Sequence, residues 1–475
     1  MTKNTSKKPY VFIGGMCSLP LGVMERQLGN MAIFIPLLKK LQSALPDYEI
    51  LTSLQLSKEF CQDNHFQSLN IPSIYSPTIW AGITSVIDWL RSLLFRIIKK
   101  LTGHKPTALI SNDKLKAWYD AEIYLDFSGD TYGDIAHWGH FLKHSFDILT
   151  LRNLDVPIIF YAQSTGPFSS SIKRTIGKLV LNQVNLVTAR ETETFKNLSE
   201  LKLSIPVIQT ACPAWSLKPA GDEKINRIST IEGLSHFESP LIGLNITGYN
   251  FASELISKDK YQEERDPTEF LPIIEVMKHI LEDLNANLIL IPHVYRLNEN
   301  NQLIPGPDGK ISEQLYQLVS TSTIRNKERM MIVKGTYTSD EVKGLIGKLD
   351  LFISGRVHAG VAGMSQAVPT IMLAYSPKHY GFAAYAGLKK LVMNNYRGKF
   401  NPAELNSNID FAWENKSAIQ GSIKDRLQHI EDLVDLNHQI VSDILAQPKN
   451  LRNHIPKDLV RKWTDLSAQA LRNLP

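Results

Sequence analysis

The stretch LFISGRVHAGVAGMSQAVPTIMLAYSPKHYGF, residues 351–382, decides the fold. An apolar run ending in LFIS reads as a strand over 349–354. Gly355 marks a turn, the small residues that follow read as a helix reaching Gln366, and PTIMLA reads as a second strand over 369–374. Strand, turn, helix and strand at this spacing make a βαβ unit and therefore a parallel sheet. The same rhythm extends towards the N-terminus, with strands expected over 241–246, 287–291 and 330–333 and helices over 270–284, 312–320 and 339–348. It fades over 213–240, where Pro, Gly, Ser and charged residues suggest a linker.

Before that gap the rhythm is present again. Strands are expected over 11–13, 122–127, 157–162, 185–188 and 206–209, with helices over 31–45, 137–151, 172–181 and 192–201. A chain of 475 residues exceeds one ordinary core. The expected fold class is therefore α/β, with two Rossmann-like doubly wound domains. The first covers 9–215, with an insertion near 70–115; the second covers 235–400. A polar, mostly helical tail follows over 401–475, and nothing in it points to chemistry. Ligands of such sheets bind at the carboxyl ends of the strands.

Composition narrows the function classes. With 43% hydrophobic and 21% charged residues the chain is globular, and a net charge of +5 is too weak to point to nucleic acid. It suits an anionic substrate or an anionic membrane surface. Cys17, Cys61 and Cys212 are odd in number and lack C-x-x-C spacing, which argues against a disulfide framework or zinc knuckle and for a reducing, cytoplasmic compartment. Residues 1–8 are polar and basic and carry no secretion signal. Residues 79–101, IWAGITSVIDWLRSLLFRIIKKL, break the rhythm. They are too charged to span a bilayer and read either as an amphipathic helix in a membrane interface or as a helix packed on the first domain or on another subunit.

The residues suited to chemistry gather at strand ends. Arg356 and His358 stand where a strand meets a helix start, with Val357 between them. An arginine there can grip a carboxylate or phosphate, and a histidine can deliver a proton near neutral pH. The plain alternative is a local salt bridge and a helix cap. Lys378 and His379 follow the next strand and bring further cationic character to the same edge. In the first domain Gln163, Ser164 and the turn Gly166-Pro167 follow one strand, and Arg190-Glu191 another; Arg190 either binds an anion or pairs with a nearby glutamate. DFSGDTYGD (126–134) offers Asp126 and Asp134 to bind sugar hydroxyls or act as a base, but its spacing is wrong for a calcium loop. Gly14, Gly15 and Gly22 form no dinucleotide fingerprint, and P-loop and G-x-S-x-G patterns are absent.

Taken together, RQLGNMAIF (26–34), SGDTYGD (128–134), AQSTGPF (162–168), TARETET (188–194), TACPAW (210–215), LIPHV (290–294), SGRVHAGVAG (354–363) and AVPTIMLAYSPKHYGF (367–382) resemble the polysaccharide pyruvyl transferase family. Their order and rough spacing agree over about residues 10–390. The family's N-terminal N-x-G-D-E-A motif is altered here to Gly29-Asn30-Met31-Ala32. The resemblance implies a GT-B-like arrangement of the two domains and transfer of pyruvate from phosphoenolpyruvate, as a ketal, to a sugar of a surface polysaccharide or its lipid-linked precursor. It implies His358 as general acid and Arg356, Val357, Lys378, Arg190, Gln163, Gly166 and His293 around the donor, with Asp126 or Asp134 on the acceptor side. It calls for no metal or cofactor beyond the co-substrate. The competing readings are a GT-B glycosyltransferase with a nucleotide-sugar donor, and a sugar-binding relative without catalysis. The acceptor sugar and the oligomeric state are not legible.

Overall fold

The computed structural model describes residues 8–15, 24–69, 79–252, 254, 257–300, 302–395 and 401–474. Cys17, Gly22 and residues 70–78 of the expected insertion lie outside them. The chain divides into two compact units. One comprises Met1–Met24, Leu37–Cys212 and Asp432–Leu471; the other comprises Glu25–Pro36, Pro213–Glu431 and Arg472–Pro475.

The first unit is built on seven parallel strands, β1 (Tyr10–Gly14), β2 (Glu49–Thr52), β3 (Gln67–Ser68), β4 (Ile123–Asp126), β5 (Ile158–Gln163), β6 (Leu186–Ala189) and β7 (Val207–Gln209), in the order β3-β2-β1-β4-β5-β6-β7. β1, β4, β5 and β6 are buried along their whole length, the signature of strands covered on both faces. Helices α1 (Leu28–Ala44), α2 (Lys58–Asp63), α3 (Ile79–Thr102), α4 (Asp113–Tyr119), α5 (Trp138–Asn153), α6 (Ser171–Leu181) and α7 (Thr192–Leu201) accompany it. Phe12, Phe95, Trp118, Phe141, Phe160 and Leu181 belong to its core. The first nine residues of α1 group with the second unit.

The second unit repeats the plan. Helix α8 (Asp222–Glu232) leads into strands β8 (Leu241–Asn245) and β9 (Asn287–Leu290), with α9 (Leu271–Lys278) between them and continuing as a π-turn, His279–Asp283. A small hairpin, β10 (Tyr295–Leu297) with β11 (Leu303–Pro305), precedes α10 (Pro307–Thr321), β12 (Met330–Ile332), α11 (Ser339–Ile346), β13 (Leu351–Ser354), α12 (Val357–Met364), β14 (Thr370–Ala374), α13 (Lys378–Tyr385) and β15 (Val392–Asn394). The sheet is parallel throughout, in the order β12-β9-β8-β13-β14-β15. In both units the order reverses beside the unit's first strand, between β1 and β4 and between β8 and β13. That reversal is where a doubly wound sheet opens a crevice at its carboxyl edge.

Two local expectations change. Residues 213–240 are no linker: they hold a 3-10 turn at Pro213–Ser216 and α8, whose Ile225 and Ile228 are buried in the second core. The helix after the glycine turn runs over Val357–Met364 and ends before Gln366. The tail forms α14 (Pro402–Glu414), α15 (Lys416–Leu445) and α16 (Lys457–Arg472). Residues of α15 up to Glu431 group with the second unit and those from Asp432 with the first. There Trp463 is fully buried and donates to Asp443 Oδ2 at 2.8 Å, and Ser467 Oγ donates to Gln209 O at 2.6 Å.

Candidate active site

In the second unit, four neighbouring strands, β9, β8, β13 and β14, deliver their carboxyl ends to one edge. Gly355 follows β13 and donates its N–H to Asn245 O at 2.7 Å. A Cβ at this position would collide with Asn250 Oδ1, so only glycine lets the turn pass this close to the β8 loop. The next residue, Arg356, is the N-cap of α12. Its guanidinium donates from Nε and Nη2 to the two carboxylate oxygens of Asp308, at 2.8 and 2.7 Å. Asp308 is fully buried near the start of α10. One edge of the arginine fork is thereby fixed by the protein. The end-on edge, Nη1 with Nη2, keeps the geometry to accept a planar carboxylate or a phosphate. Burial works against the arginine's charge, but Asp308 outweighs it and holds the group above its ordinary pKa.

Around this arginine stand two stacked tyrosines, Tyr249 and Tyr375, with ring centroids 4.6 Å apart. Arg356 lies 5.7 Å from the Tyr249 ring, Lys260 5.0 Å from the same ring, and Lys378 5.7 Å from Tyr375. Three cations thus surround one aromatic pair at the head of α12, whose free N–H groups add a positive dipole end. Asn245 Oδ1 is buried there without a hydrogen-bond partner among the described residues. His293, after β9, is buried, and its imidazole is pushed down to about 4 by that burial and by the Arg356 charge, against the pull of Asp308. It is neutral at physiological pH. Val357 is buried as the first residue of α12, and His379 is buried beside Tyr375, with ring centroids 4.5 Å apart.

His358 is half-buried one residue further along α12, edge-on to Phe382 with centroids 5.9 Å apart. Close to it also lies Gly29, from the altered N-terminal motif, where a Cβ would stand 2.9 Å from His358 Nδ1. The bare glycine leaves the imidazole its seat. Leu28 O accepts from Ser339 Oγ at 2.8 Å and fixes this segment in the second unit.

The first unit holds a separate polar cluster at the ends of β4, β5 and β6. Asp126 is fully buried; its Oδ2 meets His144 Nε2 at 2.7 Å, and its Oδ1 accepts from Ser128 N at 3.0 Å and from Gln163 Nε2 at 2.5 Å. His144 Nδ1 and Gln163 Oε1 are buried without a partner among the described residues. Arg190 is buried and donates to Ser164 Oγ at 2.8 Å, while Glu191, which feels the Arg190 charge, caps α7. Asp134 accepts from Ser169 N and Oγ at 2.8 and 2.6 Å and latches the loop that carries Gly166. The structure thus gathers Arg356, Val357, His358, Lys378 and His293 on the second sheet, and Asp126, Gln163 and Arg190 on the first. Among the described residues no group of three or more His, Cys, Asp and Glu is placed to hold a metal ion.

The profile of the polysaccharide pyruvyl transferase family matches residues 28–377. The chain belongs to that family. Curated sequences give no match. Solved structures share the fold at low identity. A glycosyltransferase from Rickettsia africae matches at 12% identity and a TM-score of 0.53, over 93% of this chain and 100% of its own. UDP-GlcNAc 2-epimerase from Neisseria meningitidis, bound to UDP-GlcNAc, matches at 13% and 0.53, over 92% and 100%. Anabaena HepE, solved with UDP and glucose, matches at 11% and 0.51, over 92% and 99%. The pyruvyl transferase fold here is therefore of the GT-B class, two Rossmann-like units with a helical C-terminal region.

Sequence reasoning missed Asp308, Lys260, Tyr249 and His144. Asp308 sits in GPDG, which reads as a turn, and Lys260 in a polar stretch; neither carries a pattern. His144 shows only as a histidine inside an amphipathic run.

Proposed function

We propose that this pyruvyl transferase takes phosphoenolpyruvate as donor and forms a ketal on a sugar of a surface polysaccharide or its precursor. The observation that carries the reading is the arginine fork held by Asp308 among Lys260, Lys378 and the stacked tyrosines. It is a cluster of cations about one aromatic pair, suited to a small, planar, multiply charged anion. In this reading the open edge of Arg356 takes the carboxylate or the phosphate, and the lysines share the remaining charge. His358 protonates the enol CH2 carbon, which leaves a cationic C2. A sugar hydroxyl adds to C2 and gives up its proton, phosphate departs, and a second hydroxyl closes the ketal with loss of its proton. Asp126, ordered by His144 and Gln163, is the residue we assign to the acceptor side.

The test is ligand-stabilised melting. Only a ligand of the folded state raises the midpoint by mass action. Phosphoenolpyruvate should raise it in a concentration-dependent way. A shift with uridine or guanosine diphosphate sugars, and none with phosphoenolpyruvate, would turn the assignment to a nucleotide-sugar donor.

A further inference from the structure

Helix α3 carries two faces. The inner one is polar and closely held. Asp88 pairs with Lys114 at 2.9 Å and accepts from Asn112 at 2.9 Å. Ser85 donates to Asp147 at 3.1 Å, and Asn153 of α5 donates to Ser92 at 3.1 Å. Phe95 is completely buried. The outer face is a row of Trp80, Ile83, Ile87, Leu90, Leu94, Ile97 and Leu101, spaced alternately three and four residues apart, with exposures from 41% at Ile83 to 79% at Leu101. The spacing lays all seven along a single stripe. Helices α3 and α5 run parallel, Ser85 with Asp147 and Ser92 with Asn153, so exposed Leu142 of α5 stands level with Trp80.

A stripe of this length exceeds the scattered exposure usual on a soluble surface. We infer that the outer face of α3 seats this protein on an anionic lipid surface. Charge selects that occupant. The helix has one acid, Asp88, and it is turned inward onto Lys114. Its outward charges are all basic, with Arg91 and Lys100 exposed beside the stripe and Lys105 just beyond it. Lys99 is tied to Asp155 at 2.8 Å, so it adds less. A second copy of the chain is a poorer fit: pairing in register, or about the stripe's midpoint, sets Arg91 against Arg91 with no carboxylate to answer it. No helix among the described residues is long and apolar enough to cross a bilayer. Instead, α3 lies in the interface with its apolar row in the headgroup boundary and its cations at the phosphates.

The experiment is co-sedimentation of the full-length protein with phosphatidylcholine vesicles, with and without phosphatidylglycerol. Binding should require the anionic lipid and fall as salt rises. Each cation near the surface contributes about fivefold to binding, so R91E with K100E should weaken it by well over tenfold. L90S with L94S should weaken it equally on neutral grounds of apolar burial. Circular dichroism and the melting midpoint check the fold of both variants; if the serine pair misfolds, the charge pair alone decides. Failure to bind anionic vesicles overturns the inference, as does unchanged binding by R91E with K100E. A wild-type dimer in size exclusion that L90S with L94S converts to monomer overturns it in favour of self-association. The phosphoenolpyruvate melting shift is read without vesicles, so the two proposals fail separately.

Discussion

Arg356 meets the buried carboxylate of Asp308 through one edge of its fork, and that choice of edge sets what substitution does. Lysine at 356 keeps the charge and loses both the anchor and the open edge. We expect R356K to weaken phosphoenolpyruvate binding by about 1–3 kcal/mol in calorimetry. D308N should weaken it too without touching the ligand, because the fork loses its fixed orientation; unchanged affinity in D308N would contradict that. His358 is the proposed proton donor, so H358A should lower turnover by about 10²–10⁴ and move the donor dissociation constant little. His293 gives a pH test of the same site. Its folded pKa lies near 4, below the ordinary 6.5, so as pH falls from about 6.5 to about 4 the unfolded chain takes up a proton that the folded chain refuses. Stability should drop through that window and stay level above it, and H293Q should flatten that part of the curve in denaturant titrations. Arg356, His358 and Lys378 were legible because each follows an apolar strand at a turn. Asp308 and Lys260 were not, since their partners are distant in sequence and the surrounding residues announce only loops.

At the scale of elements, α3 shows what composition conceals. Most of its large apolar residues face away from the core: the core side is Ala81, Ser85, Asp88, Ser92 and Phe95, held by an ion pair to α4 and hydrogen bonds to α5. Lys114 and Lys143 both hold Asp147, at 3.2 and 2.7 Å. Burial alone would raise the Asp147 carboxyl, but the two lysines overcome it and hold it well below the usual range. A depressed acid contributes stability above its ordinary pKa and loses it as pH falls lower. D147N removes the common partner of two buried cations, and a loss of about 3–5 kcal/mol in denaturant unfolding is expected. The fully buried parallel strands such as β4, β5, β13 and β14 were readable because both their faces are apolar, whereas the partly exposed β2, β3 and β15 were not. Helix α8 was not: only Ile225 and Ile228 are buried along it, and the charged residues around them read as a linker.

For the whole molecule, the two βα runs were legible as two Rossmann-like sheets because the strand–helix rhythm repeats on either side of residue 213. The return of the tail was not, since nothing local in 432–471 says which sheet it completes. Asn437 Nδ2 donates to Ala211 O at 3.0 Å, and Tyr161 Oη meets His438 Nδ1 at 2.7 Å, so these late helices close the first unit. W463A should therefore cost about 3–5 kcal/mol, read as a lower denaturant midpoint. Ending the chain after Glu431 should leave the first unit without a cooperative melting transition. The same return has a consequence for the ribosome. Residues 37–212 emerge roughly two hundred residues ahead of the helices that complete them. At synthesis rates of about 5–20 residues per second, that is a wait on the order of ten to forty seconds. Throughout it, the nascent chain exposes the apolar ground on which α15 and α16 later settle, while the second unit is still being made. The first unit is thus begun early and completed only by the tail, and until then its half-built state carries exposed apolar surface of the kind chaperones bind.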